Sequence, residues 1–361
     1  FAMPLIPPPA ELHNLLSGRT RGVRAALTRA GLAALEPFYY LGSAYRNWRY
    51  DRDPSRTTKV EIPVVSVGNL TVGGAGKTPV VLWIAQRLRE QELRVAILSR
   101  GYGADASRND EAMELEQRLP DVPHIQHADR VAGAQIAIEE LESQTLVLDD
   151  AFQHRRIARD LDVVLLDALC PFGYGHLLPR GLLRESLRGL RRAQIVILTR
   201  SDLVAPSQRK AIETQARRYH PDLLWAEASH SPSALWNASG ARRDVTELAN
   251  RRVAAFCGIG NPEGFRQTLE RCGAEIVGFR AFPDHHRYSA EDVDSLTTWA
   301  AELGVEVVIC TSKDLVKLQI DALSAVPLYA LEIAIEFHSG EEHLRSALAE
   351  IANQAWAARP E

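Results

Sequence analysis

Residues 67–79 read VGNLTVGGAGKTP, a glycine-rich stretch between a predicted strand and a predicted helix. The strand is the apolar run at residues 62–67. The helix, at residues 79–91, carries apolar side chains at the spacing of one helical face: Val81, Ile84, Ala85 and Leu88. A strand, a glycine turn and a helix in this order predict a phosphate-binding loop, because backbone N–H groups of the turn and the helix N-terminus point at a bound anion.

The residues of this loop predicted to bind nucleotide phosphates are Gly73, Gly74, Ala75, Gly76, Lys77 and Thr78. We expect Lys77 to reach the β- and γ-phosphates and the Thr78 hydroxyl to bind Mg²⁺. The usual motif has glycine where this chain has Thr71, so the loop is a doubled-glycine variant.

Two carboxylates follow a second apolar run, at residues 145–148. A phosphate-loop enzyme needs a carboxylate at the end of a neighbouring strand for magnesium, so Asp149 and Asp150 are the metal candidates. Helix capping is the alternative role for such a pair.

Two further strings resemble the T-K-x-D guanine reader of GTPases, namely residues 199–202 (TRSD) and 311–314 (TSKD). The first lacks the lysine and the second has it next to the aspartate. Surface turns are therefore predicted for both.

Short β-branched runs alternate with amphipathic stretches through most of the chain, which predicts an α/β fold with a parallel sheet. Strands are expected at residues 62–67, 94–98, 145–148, 163–166 and 195–198, and again at 253–257, 275–279, 305–310 and 328–331. The polar residues 229–247 separate the two blocks. We therefore expect a phosphate-loop domain at 59–228, a smaller α/β domain at 229–361, and an N-terminal segment at 1–58.

Composition limits the functional class. The 361 residues are 46% hydrophobic and 24% charged, which excludes global disorder, and the net charge of −4 argues against a general nucleic-acid binder. The first 60 residues are basic, with nine Lys and Arg against four Asp and Glu. Such an arm suits anionic lipid or polyphosphate. Four dispersed cysteines predict neither a zinc cluster nor a disulfide framework, and favour a reducing, cytoplasmic compartment.

The segment at residues 22–50 has no apolar run long enough to predict a membrane-spanning helix. One helical face carries Val23, Leu27, Ala30 and Ala34, and Pro37 is predicted to break the helix before a group of aromatic residues. Arginines beside aromatic rings are typical of an interfacial helix, and a helix packed on its own domain is the alternative.

Seven strings together resemble the tetraacyldisaccharide 4'-kinase family. In order along the chain they are VGNLTVGGAGKTP (67–79), LSRGYG (98–103), NDE (109–111), LDDAFQHRR (148–156), LLPRGLLRESL (177–187), CGIGNPEGF (257–265) and FPDHH (282–286). The resemblance implies transfer of the γ-phosphoryl group of ATP, with Mg²⁺, to the 4'-hydroxyl of a lipid A disaccharide 1-phosphate, giving lipid IVA. It also implies two domains flanking a cleft, and an N-terminal helix on the inner-membrane lipid surface at its cytoplasmic face. No nucleic acid and no obligate protein partner are implied.

The same resemblance suggests roles for individual residues. Asp110 matches the acidic residue of a G-D-E motif, although Asn109 replaces its glycine. Asp110 and His285 would act together on the sugar hydroxyl, with His286 as a competing assignment. Arg184 would neutralise phosphoryl charge and Glu185 would support the metal.

Smaller features near these motifs carry predictions of their own. Ala151 stands where the family often has glycine. Arg188, Arg191 and Arg192 are predicted to form a solvated basic face.

Two other functional classes remain open on the residues alone. A phosphate-loop GTPase or metallochaperone-type switch would prefer GTP over ATP and need no lipid. A non-enzymatic membrane scaffold would tolerate Lys77→Ala and Asp110→Ala.

Overall fold

The computed structural model describes residues 9–101 and 110–358, and the side chains of residues 9–11, 110 and 111 lie outside that description. Its helices are α1 (Pro9–Leu16), α2 (Val23–Arg52), α3 (Lys77–Arg89), α4 (Asp110–Arg118), α5 (Arg130–Glu139), α6 (Pro206–Arg217), α7 (Pro262–Arg271), α8 (Ala290–Leu303), α9 (Ser312–Leu318) and α10 (Glu341–Ala357). Its strands are β1 (Val64–Asn69), β2 (Val95–Ser99), β3 (His124–Gln126), β4 (Thr145–Asp149), β5 (Leu161–Asp167), β6 (Ile195–Thr199), β7 (Leu224–Trp236), β8 (Arg242–Asp244), β9 (Arg252–Cys257), β10 (Glu275–Ala281), β11 (Val307–Thr311), β12 (Ala322–Leu323) and β13 (Val326–Ser339).

The chain divides into two compact units. The first contains the described parts of residues 1–101, 122–229 and 335–361. Its strands lie in the order β3-β2-β4-β1-β5-β6-β7, and the pairs are parallel. Every residue of β1, β2, β4 and β6 is buried. Burial on both faces explains why these strands read as continuous apolar runs.

The second unit contains the described parts of residues 102–121 and 230–334. In it β9 pairs in parallel with β10 on one side and β11 on the other, and β11 pairs with β13. One face of these strands packs in a cluster with Leu296 and Ala300 of α8 and Leu315 of α9. The opposite face packs against Phe265 and Leu269 of α7.

These units differ from the predicted division of the chain. The chain passes from one unit to the other after Ser229, near the predicted boundary, but residues 102–121 belong to the second unit and residues 335–361 to the first. The polar stretch predicted to separate the domains forms the second half of β7 and then β8. A division into consecutive segments fails here because the chain returns to the first unit within β13, at Ile335.

The N-terminal part of the first unit also differs from expectation. Helix α2 continues through Pro37, so the predicted break is wrong. Proline leaves the carbonyl of Ala33 without its helical donor, but Ala33 is exposed, so the helix loses that bond at a position that is open to solvent. Among the described helices, none is both long and apolar enough to cross a bilayer.

Candidate active site

The phosphate loop connects β1 to α3 in the first unit. Gly73 has φ 110° and Gly76, the N-cap of α3, has φ 76°, both in the left-handed region that favours glycine. A Cβ atom built on Gly73 or Gly74 meets nothing within 4 Å, so the space above these two residues is open. The helix starts at Lys77, two residues before the predicted start, and Pro79 lies in its first turn, where no intrahelical donor is lost.

The turn after β4 approaches β1 closely. A Cβ atom on Gly68 would lie 2.6 Å from Cβ of Phe152, so only glycine fits at that position. Parallel register places Asp149 beside Val67, directly before the loop. The sheet therefore brings the predicted carboxylates to the phosphate loop.

Asp150 is a charge partner of two cations at the loop. Its Oδ1 lies 3.6 Å from Nζ of Lys77, and one terminal nitrogen of Arg184 donates to Oδ1 and Oδ2 at 2.8 and 3.0 Å. Burial acts to raise the pKa of Asp150, but the charges of Lys77 and Arg184 outweigh burial and hold that pKa below its usual value. Asp150 is therefore ionised at neutral pH.

The donor set at this edge suits magnesium. The Asp149 carboxylate is buried at the end of β4, and Thr78 lies in the first turn of α3. Over residues 9–101 and 110–358, no group of three or more His, Cys, Asp and Glu side chains could hold a metal ion. Magnesium commonly binds through one or two carboxylates together with phosphate oxygens, so a full protein cage is not required.

Ala151 is accommodated in the turn after β4. Its side chain is buried in the cluster around β1 and β4, and its N–H donates to the carbonyl of Val67.

A segment that we call the strap, residues 176–185, pairs with the phosphate loop. Val72 N–H donates to the Leu182 carbonyl, and Arg184 N–H donates to the Leu70 carbonyl, each at 2.8 Å. These two backbone bonds hold Arg184 beside the loop. The Arg184 guanidinium consequently meets Asp150 although the two residues lie 34 positions apart.

Glu185 differs from its predicted role as a metal ligand. It is fully buried, and Arg192 donates to both of its carboxylate oxygens at 2.8 and 2.9 Å. Asn47 and Gln153 donate to the same carboxylate. Oxygens occupied in this way serve to anchor neighbouring segments, so we leave Glu185 out of the ligand set.

Arg192 also departs from expectation, because it does not belong to a solvated basic face. Its side chain is largely buried, pairs with Glu185 and lies over the Phe152 ring at 4.4 Å. The prediction missed this burial because Phe152 comes from a distant part of the chain and because Glu185, seven residues away, is itself buried.

The TRSD string is not a surface turn. Thr199 and Ser201 are buried, and the Thr199 hydroxyl donates to the Ala75 carbonyl at 3.0 Å. Arg200 donates to the Gly74 carbonyl at 3.1 Å and pairs with Asp167. Residues at the end of β6 therefore bond to the backbone of the phosphate loop, which the prediction of a surface turn did not include. The only signal of these bonds in the sequence was the resemblance to a nucleotide-reading string.

In the second unit, the two candidate histidines have different surroundings. His285 has φ 58°, its side chain is 66% exposed, and its Nε2 lies 3.9 Å from Oδ1 of Asp284. His286 lies 3.0 Å from Asp292 and stacks on Phe282 with ring centroids 4.8 Å apart. His286 is thus held in the fold, and His285 presents its ring to solvent.

The TSKD string is also not a surface turn. Asp314 is fully buried and accepts hydrogen bonds from the Gly258 N–H, the Tyr288 hydroxyl and the Thr311 hydroxyl. Burial and the neighbouring Asp314 charge raise the pKa of Tyr288. The Gly258 carbonyl in turn accepts from the His285 N–H at 3.1 Å. Asp314 therefore organises the backbone that carries His285.

Asp110 is the first residue of α4. Its side chain and Asn109 lie outside the described residues. Helix α4 packs on α9, the helix that carries Asp314, and Met113 contributes to the shared apolar cluster.

Comparison with known proteins places the chain in a family. The family model described as LpxK, tetraacyldisaccharide-1-P 4'-kinase, matches residues 28–353. The tetraacyldisaccharide 4'-kinase of Anaeromyxobacter dehalogenans (strain 2CP-C) is 43% identical over 351 residues, covering 91% of this chain and 92% of the relative. That of Syntrophus aciditrophicus (strain SB) is 39% identical over 335 residues, covering 85% and 89%.

A solved structure gives the same result. The crystal structure of LpxK from Aquifex aeolicus, in complex with ATP, superposes with a TM-score of 0.72 at 30% identity, covering 90% of this chain and 99% of that one. The predicted fold class, kinase activity and resemblance are confirmed. The chain belongs to the tetraacyldisaccharide 4'-kinase family.

Proposed function

We propose that the protein transfers the γ-phosphoryl group of ATP to the 4'-hydroxyl of a tetraacyldisaccharide 1-phosphate at the cytoplasmic face of the inner membrane, giving lipid IVA. The observation that carries this proposal is the loop geometry of the first unit. There Lys77, Arg184 and Asp150 form one charge cluster, and the space next to Gly73 and Gly74 in the same loop is open.

The first-unit residues handle the nucleotide. Backbone N–H groups of residues 73–78 bind phosphate oxygens, while Lys77 and Arg184 offset the charge that spreads over the transferred group. Thr78 and Asp149 would hold Mg²⁺, with Asp150 as the further candidate ligand. When bound, the metal neutralises charge on the β- and γ-phosphates.

The second-unit residues handle the acceptor. Asp110 takes the proton of the 4'-hydroxyl, and His285 orients and polarises that carboxylate. The exposure of His285, and the enclosure of His286 by Asp292 and Phe282, favour His285 for this role. A hydroxyl is a weak acid, so its proton leaves only as the bond to phosphorus forms.

Membrane contact comes from α2. Its exposed large side chains include Phe38 and Trp48, and the guanidiniums of Arg49 and Arg52 lie over the rings of Tyr45 and Trp48. Arginine beside aromatic rings suits the headgroup layer of an anionic bilayer. Peripheral attachment through these exposed aromatic and arginine side chains of α2 would place the enzyme at the membrane, where its lipid substrate resides.

The experiment is a transfer assay with the full chain. Radiolabelled ATP, magnesium and detergent-solubilised tetraacyldisaccharide 1-phosphate should yield labelled lipid, with excess unlabelled ATP competing better than GTP. Asp110→Asn should lower turnover about 10²- to 10⁴-fold with little change in ATP affinity. Asp294→Asn, on the exposed side of α8, is the matched control. A folded protein that labels no lipid would refute the proposal.

A further inference from the structure

Helix α2 contacts the strap along one of its faces. The Glu36 carboxylate accepts from the Leu177 N–H at 2.7 Å and lies 3.0 Å from Nδ1 of His176. One helical turn on, the Tyr39 hydroxyl donates to the Arg184 carbonyl at 3.0 Å. Both ends of the strap are therefore bonded to the same helix.

The same face of α2 continues to the buried carboxylate at the end of the strap. Asn47 Nδ2 donates to Glu185 Oε2 at 2.8 Å, and the Asn47 carbonyl accepts from Arg155 at 3.0 Å. Arg155 also pairs with Asp51 at 2.7 Å. Because the strap pairs with the phosphate loop through Leu182 and Arg184, it touches α2 on one side and the nucleotide loop on the other.

The opposite face of α2 is apolar and exposed. Because the helix runs through Pro37, the two apolar stretches of the segment join in one stripe along its length, formed by Val23, Leu27, Ala30, Ala34, Phe38, Leu41, Tyr45 and Trp48. At about 100° per residue, this stripe points roughly 180° away from Glu36, Tyr39 and Asn47. The exposed fraction reaches 77% at Val23 and 72% at Phe38.

Apolar burial contributes little to holding α2 in place. Among its 30 residues only Ala25 is buried. The hydrogen bonds to the strap and to the neighbouring Arg155 therefore hold the helix, and each such bond is only modestly stabilising in water. A helix held in this way leaves its docked position more readily than one with a buried apolar face.

We propose that α2 couples attachment to an anionic lipid surface with nucleotide affinity, acting through the strap. This inference rests on the membrane contact in the proposed function and adds a consequence for the ATP site. A lipid surface that takes up the apolar stripe fixes α2, and α2 then holds Arg184 and the loop residues in their nucleotide-binding arrangement. Nucleotide binding no longer has to order these segments, so affinity rises.

Linkage makes the coupling reciprocal. If vesicles raise the affinity for nucleotide by some factor, nucleotide must raise the affinity for vesicles by the same factor. Positively charged side chains beside the stripe select an anionic surface, whereas a second copy of this chain would present the same positive charges.

The test uses the full chain, a fluorescent non-hydrolysable ATP analogue, and vesicles of phosphatidylglycerol and phosphatidylcholine in equal parts. We expect saturating vesicles to raise analogue affinity about fivefold or more, and saturating analogue to raise vesicle affinity equally. The double variant Glu36→Ala/Tyr39→Phe should still co-sediment with vesicles but lose most of the enhancement. Tyr40→Phe is the matched control, because the Tyr40 hydroxyl makes no hydrogen bond to a described residue.

The contrary outcomes are distinct. Co-sedimentation with unchanged analogue affinity, or a double variant that keeps the full enhancement, would overturn the coupling and leave the membrane contact intact. Failure to co-sediment, or a concentration-dependent dimer in sedimentation velocity that buries the stripe, would overturn the membrane contact and the coupling together. Lipid phosphorylation in detergent would still report on the kinase activity separately.

Discussion

One terminal nitrogen of Arg184 lies 2.8 and 3.0 Å from the two carboxylate oxygens of Asp150. Backbone pairing of the strap with the phosphate loop holds the arginine there, and the left-handed backbone of Asp150, at φ 49°, turns its carboxylate towards the loop. Lys77 shares the same carboxylate. The two cations that we propose bind the triphosphate are thus held together by one anion.

Replacing Asp150 with asparagine removes that anion. We expect Asp150→Asn to lower the free energy of unfolding by about 1 to 3 kcal/mol, because Lys77 and Arg184 then repel each other without a shared counter-charge. Metal-free ATP should recover part of the loss, since its phosphates supply negative charge to the same two cations. Urea unfolding with and without ATP plus a chelator measures this, and an equal deficit in both conditions would argue against the shared role.

Lys77→Ala should remove an electrostatic contact that strengthens in the transition state. We expect turnover to fall about 10²-fold or more in the lipid phosphorylation assay, with the fold retained. Lys210→Ala on α6 is the control, because Lys210 is exposed and pairs only with Glu213 among the described residues. Wild-type turnover in the Lys77 variant would exclude the loop from the reaction.

His154, in the turn after the two aspartates, makes stability depend on pH. Burial and the charges of Arg130 and Arg156 lower its pKa to about 4, and its Nε2 is buried without a hydrogen-bond partner among the described residues. Because the folded-state pKa lies below the unfolded value near 6.5, the unfolded chain binds the extra proton first. The contribution of neutral His154 to the free energy of unfolding is complete above about pH 6.5 and is lost as the pH falls towards 4.

Replacing His154 with glutamine should therefore flatten the pH dependence of the thermal midpoint between pH 6.5 and pH 4. Differential scanning fluorimetry over this range provides the measurement, with His220→Gln as a control in the same unit. Parallel profiles for wild type and His154→Gln would show that this histidine titrates normally in the folded protein.

The two neighbouring histidines should separate activity from stability. His285→Ala should lower turnover about 10²-fold with an unchanged unfolding midpoint, because the side chain is exposed. His286→Ala should instead lower the free energy of unfolding by about 1 kcal/mol, through loss of the Phe282 stack and the Asp292 contact. The reverse pattern would assign the catalytic role to His286.

Asp314→Asn tests the hydrogen bonds that the buried Asp314 carboxylate accepts in the second unit. The amide keeps one acceptor oxygen and turns an N–H₂ group towards donors, so the three groups bonded to Asp314 cannot all be satisfied. We expect a loss of about 2 to 4 kcal/mol in urea unfolding. Glu302→Gln, exposed on α8, should be neutral. A neutral Asp314→Asn would mean that this carboxylate does not order the His285 backbone.

Local pattern alone was enough to predict the phosphate loop and the strands around it. The strands predicted at 62–67, 94–98, 145–148, 163–166 and 195–198 correspond to β1, β2, β4, β5 and β6. A parallel strand that is buried on both faces is apolar along its whole length, and a loop that approaches phosphate closely contains glycine. Both features appear in short runs of consecutive residues, so they can be recognised without knowledge of distant contacts.

Contacts between distant segments decided the rest. The sequence does not reveal that Arg192 and Asn47 occupy the oxygens of Glu185, that Thr199 supports Ala75, or that Asp314 is buried beneath Gly258. Each of these side chains is polar and is typical of a surface turn when only its neighbours are considered. Except for Arg192, which lies seven residues from Glu185, each takes its partner from a segment tens of residues away. Only the folded chain brings such partners together and lowers the cost of burying them.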